Sequence, residues 1–268
     1  MEKMKEIIFV GLGINDEKGV SIRGLEEIKS AKTVFIELYT NLMPNFSIDN
    51  LRKISGKNPY ILSRYELEEE KGEIILKAAE RGKTIFLVPG DPLIATTHIS
   101  LRLEAKKRKI KTSVIHGTSV ISAIIGATGL HNYKFGKTVT IPLPINFSET
   151  PYDVIAQNKI NGLHTLCLLD INAKKKQFLS INDALKILLD IETKRKQKLV
   201  NFDTLVVGAA RIGSISQFIK ADYLSDLIKT NFGGPPQSLI FPGELHFMET
   251  EALISFAKAP REIMEVKK

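Results

Sequence analysis

Thr84-Ile85-Phe86-Leu87-Val88-Pro89-Gly90-Asp91-Pro92-Leu93-Ile94-Ala95-Thr96-Thr97-His98 decides how this chain is read. The stretch reads as a buried strand, a tight turn and then a helix. Apolar or β-prone residues 85–89 run into Pro-Gly-Asp-Pro and stop. Pro89 and Pro92 cannot donate to a ladder, and Gly90 accepts backbone angles closed to other residues. Asp91 is therefore presented just past the carboxyl end of the strand, the edge at which open α/β sheets bind ligands. The turn is expected to form the floor of an active site.

Two similar units flank it. Residues 6–14 make a buried strand that breaks at Gly11 and Gly13. The third glycine of the dinucleotide pattern is missing, since Asp16 follows Asn15, so the signal for NAD is weak. Two readings stay open there: close approach of a ligand to the backbone, or a plain strand-to-loop turn. Residues 112–116 form another strand, which breaks at Gly117-Thr118-Ser119-Val120 before a small-residue helix (Ala123, Gly126, Ala127). Thr118 and Ser119 either cap that helix or face a ligand.

Between these units, Ser21 is expected to cap a helix running to Ala31, with Leu25 and Ile28 inside. Strands follow at 33–37 and 60–62, with a short helix over 51–54. Ser63 and Glu66 read as a capping box for one helix that buries Leu67, Ile74, Ile75 and Ala78 and closes at Gly82. The helix after the quoted stretch is expected to bury Ile99, Leu103 and Ala105. Strand and helix alternate to about Gly129, the pattern of a mostly parallel sheet covered on both faces. Residues 130–137 read as a connector. In the second half, strands are expected at 138–141, 163–170, 203–210, 215–219 and 238–241, and helices at 152–158 and 249–257. Ser180 caps a long helix burying Ala184, Leu185, Leu188 and Ile191. The whole reads as an α/β chain of two αβα domains, 1–132 and 133–268, with a ligand cleft between them.

The formal charge is +8, with basic clusters at 106–109, 174–176 and 194–198 that read as solvated faces and loop tips. Aromatic residues do not interleave with them, which argues against stacking on single-stranded nucleic acid. No apolar run spans a membrane, and the charged start leading straight into a strand gives no signal peptide, so a cytoplasmic protein is expected. The single cysteine, Cys167, excludes an intramolecular disulfide, and its apolar neighbours mark a buried thiol. No Cys/His spacing suggests a metal, and no Ser-His-Asp set, Walker loop or carboxylate pair is visible. Of the five histidines, His116, at a strand end, is the best placed for a site. What remains is glycine turns, one carboxylate, hydroxyls and apolar side chains. That set suits a bulky, partly apolar cofactor that brings its own chemistry.

The blocks Val10-Gly11-Leu12-Gly13, Pro89-Gly90-Asp91-Pro92-Leu93, Ala95-Thr96-Thr97-His98 and Tyr133-Lys134-Phe135-Gly136-Lys137 resemble the diphthine synthase family. So do Gly162-Leu163-His164-Thr165-Leu166, Leu169-Asp170-Ile171 and Ala259-Pro260-Arg261-Glu262, so the resemblance runs almost end to end. Pro-Gly-Asp-Pro alone would indicate only the wider tetrapyrrole methylase-like group. The resemblance implies S-adenosyl-L-methionine as methyl donor and S-adenosyl-L-homocysteine as product. The substrate it implies is a histidine of translation elongation factor 2 carrying a 3-amino-3-carboxypropyl group. Archaeal-type relatives trimethylate the amino nitrogen to give diphthine; eukaryotic-type relatives add a further methyl to a carboxylate. A homodimer is also implied, with no membrane and no nucleic acid required.

Carried over residue by residue, the cofactor contacts fall at Ile14, Asp91, Ile94, Ser119 and Val120 in the first half. In the second they fall at Leu169, Ile212 and Gln237. Several relatives have His where this chain has Gln237, so the contact is either made by backbone or differs here. Asp91 is expected to position the cofactor, and the sequence names no catalytic base. A tetrapyrrole or RNA methylase, or a non-catalytic binding module, are the alternatives. Lys174, Lys175 and Lys176 are the expected docking loop for the elongation factor.

Overall fold

Alternation along β1 (Glu6–Gly11) sends Ile7 and Phe9 to one face and Ile8 and Val10 to the other, and a separate core grows on each. The computed structural model describes residues 5–173 and 175–264. Contacts divide the chain into two compact units, one up to Val120 and one from Ile121 onward. The join expected from the sequence, 132/133, lies further along the chain.

The first unit continues through α1 (Ile22–Ser30), β2 (Thr33–Glu37), α2 (Ile48–Ser55), β3 (Tyr60–Leu62), α3 (Arg64–Glu68), α4 (Glu73–Glu80), β4 (Thr84–Val88), α5 (Ile99–Lys107) and β5 (Lys111–Ile115). Its sheet has the order β3-β2-β4-β1-β5, and every pairing in it is parallel. α1 and α2 bring Ile28 and Leu51 to the face carrying Ile85 and Leu87. α3, α4 and α5 bring Leu67, Ile75, Leu76, Ala79, Leu101 and Ala105 to the face carrying Phe86 and Val88. A sheet covered on both sides explains why its strands read as unbroken apolar runs.

The helix starts follow the expected caps. Ser21 accepts from Gly24 N at 3.0 Å, and Ser63 and Glu66 form the reciprocal box. Three expectations fail. The helix begun at Ser63 breaks at Lys71 and Gly72, both at positive φ, so α4 is a separate helix burying Ile75, Leu76 and Ala79 and leaving Ile74 and Ala78 half-buried. α1 buries Gly24 and Ile28, with Leu25 only half-buried. α5 starts at Ile99 after a series of turns, and it buries Leu101 and Ala105 while Ile99 and Leu103 stay exposed.

The second unit takes in most of α6 (Val120–Thr128), which starts at the join. It continues with β6 (Val139–Ile141), α7 (Thr150–Ile160), β7 (Thr165–Leu169), β8 (Ile171–Asn172), β9 (Gln177–Phe178), α8 (Ile181–Arg195), β10 (Leu205–Ala210), β11 (Phe218–Tyr223), α9 (Leu224–Leu227), β12 (Gln237–Phe241) and α10 (Phe247–Ala257). Its main sheet runs β11-β10-β12-β7-β6; β6 and β7 are parallel and the other pairs antiparallel. The buried stripe of α8, Ala184, Leu185, Leu188 and Ile191, packs on the same core as Cys167, Val206 and Leu239. Burial pushes the Cys167 thiol up, which leaves it a packing residue.

The strand expected at 215–219 lies instead at β11, because pairing with β10 sets its register and Ile215 falls in an exposed turn. The β8–β9 hairpin was not expected; Lys175 and Lys176 form its exposed turn, and Lys174 lies outside the described residues.

A fully buried carboxylate ties three segments of this unit together. Glu249 accepts from Lys134 Nζ at 2.6 Å, His131 N at 2.7 Å, His246 N at 2.8 Å and His164 Nε2 at 2.8 Å. Burial alone would raise its pKa, but these donors outweigh it and hold the group down to about 2. No helix among the described residues is long and apolar enough to cross a membrane.

Candidate functional site

Three strand ends meet in the first unit with no room for a side chain between them. A Cβ on Gly117 would lie 2.3 Å from Gly90 O, and one on Gly11 2.5 Å from Gly117 N. Leu12 N donates to Val88 O at 2.9 Å, and Gly13 and Gly90 exchange backbone bonds at 3.2 and 2.7 Å. Gly13 and Gly90 both take positive φ, at 76° and 73°. Close packing against the other two turns is thus reason enough for glycine at position 11. At the position of the missing third glycine, Asp16 caps a short 3-10 turn over Glu17–Gly19, and no long helix starts there.

These turns bring the first-half candidates to one sheet edge. Ile14 follows β1, Asp91 and Ile94 follow β4, and Ser119 and Val120 follow β5; these three strands are neighbours in the order β4-β1-β5. Ile14 and Val120 are half-buried, Ser119 and Asp91 buried, and Ile94 exposed. Asp91 is held by its own chain. Its Oδ1 accepts from Leu93 N at 3.0 Å, and its Oδ2 lies 2.7 Å from His116 Nδ1. The Asp91 side chain is 3% exposed and the His116 side chain 73%. His98 buttresses the same turn from below, with Nδ1 3.1 Å from Pro92 O and its ring edge-on to Phe86. Burial, only partly offset by Pro92, lowers its pKa and keeps the ring neutral.

Glu37 is a residue the sequence reading passed over. Fully buried at the end of β2, it accepts from Tyr39 N at 2.9 Å and Thr40 N at 3.1 Å and takes the Thr40 hydroxyl. Burial raises its pKa against those bonds. The turn it shapes carries Asn41 to 3.8 Å from where a Gly90 Cβ would stand. Its signal was present: a carboxylate closing the apolar strand of residues 33–37 has to be paid for by local donors.

The second-half candidates also share an edge, within their own sheet. Ala210 pairs with Gln237, and Ser238 with Leu168, so the end of β10, the start of β12 and the end of β7 are neighbours. Leu169 and Ile212 are buried and Gln237 half-buried. Arg211, unassigned from sequence, braces this edge. It donates through Nε to Ser216 O at 3.1 Å and through Nη1 to Phe232 O at 2.7 Å. The Gln237 side chain is committed locally: Oε1 accepts from Ile181 N at 2.9 Å, and Nε2 donates to Gly233 O at 2.7 Å.

A parallel sheet with a Gly-Asp turn at its carboxyl edge, joined to a second, mixed sheet, defines a class. Residues 6–225 match the family model described as Tetrapyrrole (Corrin/Porphyrin) Methylases, and the chain belongs to that family. Within it, the chain is 44% identical over 266 residues to the diphthine synthase of Methanosarcina mazei, covering 97% of this chain and 98% of that protein. It is 42% identical over 253 residues to the diphthine synthase of Methanocella arvoryzae, covering 94% and 98%. A crystal structure of diphthine synthase superimposes with a TM-score of 0.88 at 38% identity, covering 97% of this chain and 99% of that one.

Proposed function

We propose that this protein trimethylates the amino group of the 3-amino-3-carboxypropyl-histidine of translation elongation factor 2. S-adenosyl-L-methionine is the donor and the product is diphthine, a step of diphthamide biosynthesis. The observation that carries this reading is similarity along nearly the whole chain to proteins named diphthine synthase.

The residues fit the donor. Ile14, Asp91, Ile94, Ser119, Val120, Leu169, Ile212 and Gln237 include no Lys or Arg to neutralise a phosphate, and one carboxylate to complement a cationic ligand. Bound S-adenosylmethionine supplies a methyl group made electrophilic by positive sulfur, so the protein's task is to orient and to exclude water. The apolar members would hold the adenosine and thioether parts, and Asp91, whose carboxylate is bonded to Leu93 N and His116, would position the polar end through its charge and the turn it fixes. With its side chain already bonded twice, Gln237 would contact the cofactor through backbone, which makes His in relatives an equivalent choice. Asp91→Asn is expected to weaken S-adenosylmethionine binding about tenfold in calorimetry, by removing the negative charge that complements a cationic ligand.

A cytoplasmic homodimer belongs to the same reading. Ile99 and Leu103, 50% and 57% exposed, stand one turn apart on α5 and support a self-association face. Leu103→Glu is expected to turn a dimer into a monomer in sedimentation; a monomeric wild type would remove this part of the reading.

The direct test is mass spectrometry of elongation factor 2 carrying the aminocarboxypropyl precursor, after incubation with this protein and S-adenosylmethionine. A gain of three methyl masses on that histidine is expected. Four would point to the ester route, and none, with cofactor binding intact, to tetrapyrrole or RNA substrates.

A further inference from the structure

We propose that His116 is the proton acceptor for the substrate amine, oriented for that task by Asp91. The inference rests on amine methylation as the reaction. An alkyl ammonium has no lone pair, so each methylation of a primary, secondary or tertiary amine must be preceded by loss of one proton. A donor with strong chemistry of its own does not remove it.

The geometry supplies an acceptor. A carboxylate oxygen can only accept, so the 2.7 Å contact with Asp91 Oδ2 requires the proton of a neutral His116 ring to sit on Nδ1. Nε2 then carries a lone pair, and no bond to it is found among the described residues. The two side chains have opposite environments: the carboxylate is 3% exposed and the imidazole 73%. Asp91 Oδ1 is fixed by Leu93 N, so the carboxylate cannot turn away. A buried, immobilised carboxylate behind an open imidazole is the arrangement that fixes a histidine tautomer and steadies the imidazolium it becomes. Asp91 is the one charged group bonded to His116 among the described residues, and both lie at the sheet edge shared by Ile14, Ser119 and Val120.

The step balances simply. A substrate N–H bond breaks and its electron pair stays on nitrogen as the nucleophilic lone pair. The proton bonds to the lone pair of Nε2, giving an imidazolium paired with the Asp91 carboxylate, and then passes to water. The cycle runs once before each of three methyl transfers and stops at the quaternary nitrogen, which has no proton to lose. Methylation of a carboxylate would need no such step.

His116→Asn tests this, because its amide N–H reaches toward Asp91 while the basic nitrogen is gone. S-adenosylmethionine affinity by calorimetry is expected to stay within about twofold. Methylation of the aminocarboxypropyl factor at pH 7 is expected to fall about 10²–10⁴-fold. The deficit should shrink about tenfold per pH unit on the alkaline side, as the amine deprotonates unaided. In the protein alone, ¹⁵N NMR should find neutral His116 as the Nδ1–H tautomer, and Asp91→Asn, which keeps its oxygen on Leu93 N and turns an NH2 donor toward the ring, should invert it to Nε2–H. Wild-type rates in His116→Asn at pH 7, a deficit that ignores pH, or an Nε2–H tautomer in the wild type would each overturn the proposal. A wild type that binds no S-adenosylmethionine or methylates no amine would instead overturn the functional reading beneath it.

Discussion

Asp91 and Glu249 are both buried carboxylates bonded to a histidine, and they are built for opposite ends. Glu249 accepts from an ammonium, two backbone N–H groups and the His164 ring, and that ring is itself buried, with Nδ1 accepting from Gly243 N at 2.9 Å. Nothing in the set faces outward for chemistry. Asp91 has one backbone donor and one imidazole, and that imidazole stands open. Saturation on every side marks a carboxylate that holds a fold together; a histidine left half-committed marks one that can work. The same pairing of residue types therefore carries no function until its outer atoms are followed.

The contrast can be broken in order of effect. Glu249→Ala should cost about 3–5 kcal/mol in urea unfolding, since it takes the acceptor from the buried His164 ring and from His131 N and His246 N and leaves Lys134 without its carboxylate. Gly117→Ala, which drives a Cβ against the carbonyl of Gly90, should cost about 1–3 kcal/mol, because a backbone atom cannot swing aside. Gln237→Ala should cost about 1 kcal/mol, by unpairing Ile181 N at the start of α8, and leave cofactor affinity unchanged. Asp91→Asn should change stability by less than about 1 kcal/mol while inverting the His116 tautomer, since Asn still accepts from Leu93 N.

Acid sharpens the comparison. Burial, against the pull of Glu249, lowers the His164 pKa below 6.5, so the fold favours the neutral ring. Its contribution is complete above pH 6.5 and is lost as pH falls below that value. Glu249, depressed from 4.5 to about 2, continues the loss through that lower range. Urea midpoints measured from pH 8 down to pH 3 should decline in both segments, and Glu249→Gln should flatten the second.

Much of this was legible. Continuous apolar runs at 7–10 and 85–88 announce a doubly covered parallel sheet, and Ser21, Ser63 with Glu66, and Ser180 mark true helix starts. The failures have physical causes. In Ile99-Ser100-Leu101-Arg102-Leu103-Glu104-Ala105, apolar residues two apart offer two faces at helical spacing, 99/103 and 101/105, and only the sheet beneath chooses between them. Ile215 has strand character, but pairing with β10 begins at Phe218. Asp91 and His116 each stand out in the sequence, but their bond does not, because 25 residues separate them and only the adjacency of β4, β1 and β5 closes that gap. Glu249, unlike Glu37 at the end of an apolar strand, looks solvated in the sequence until its donors are known.

The contact among Gly11, Gly90 and Gly117 bears on how this protein can be altered. Three loops from distant parts of the chain share one seam, where a methyl group at 11 or 117 would strike backbone at 2.5 or 2.3 Å and position 90 favours glycine through its positive φ, so they are interchangeable only as a set. A graft that imports one loop from a homologue must bring a glycine at the seam, or carry the other two with it. Directed evolution of substrate range will find almost no freedom at the seam itself.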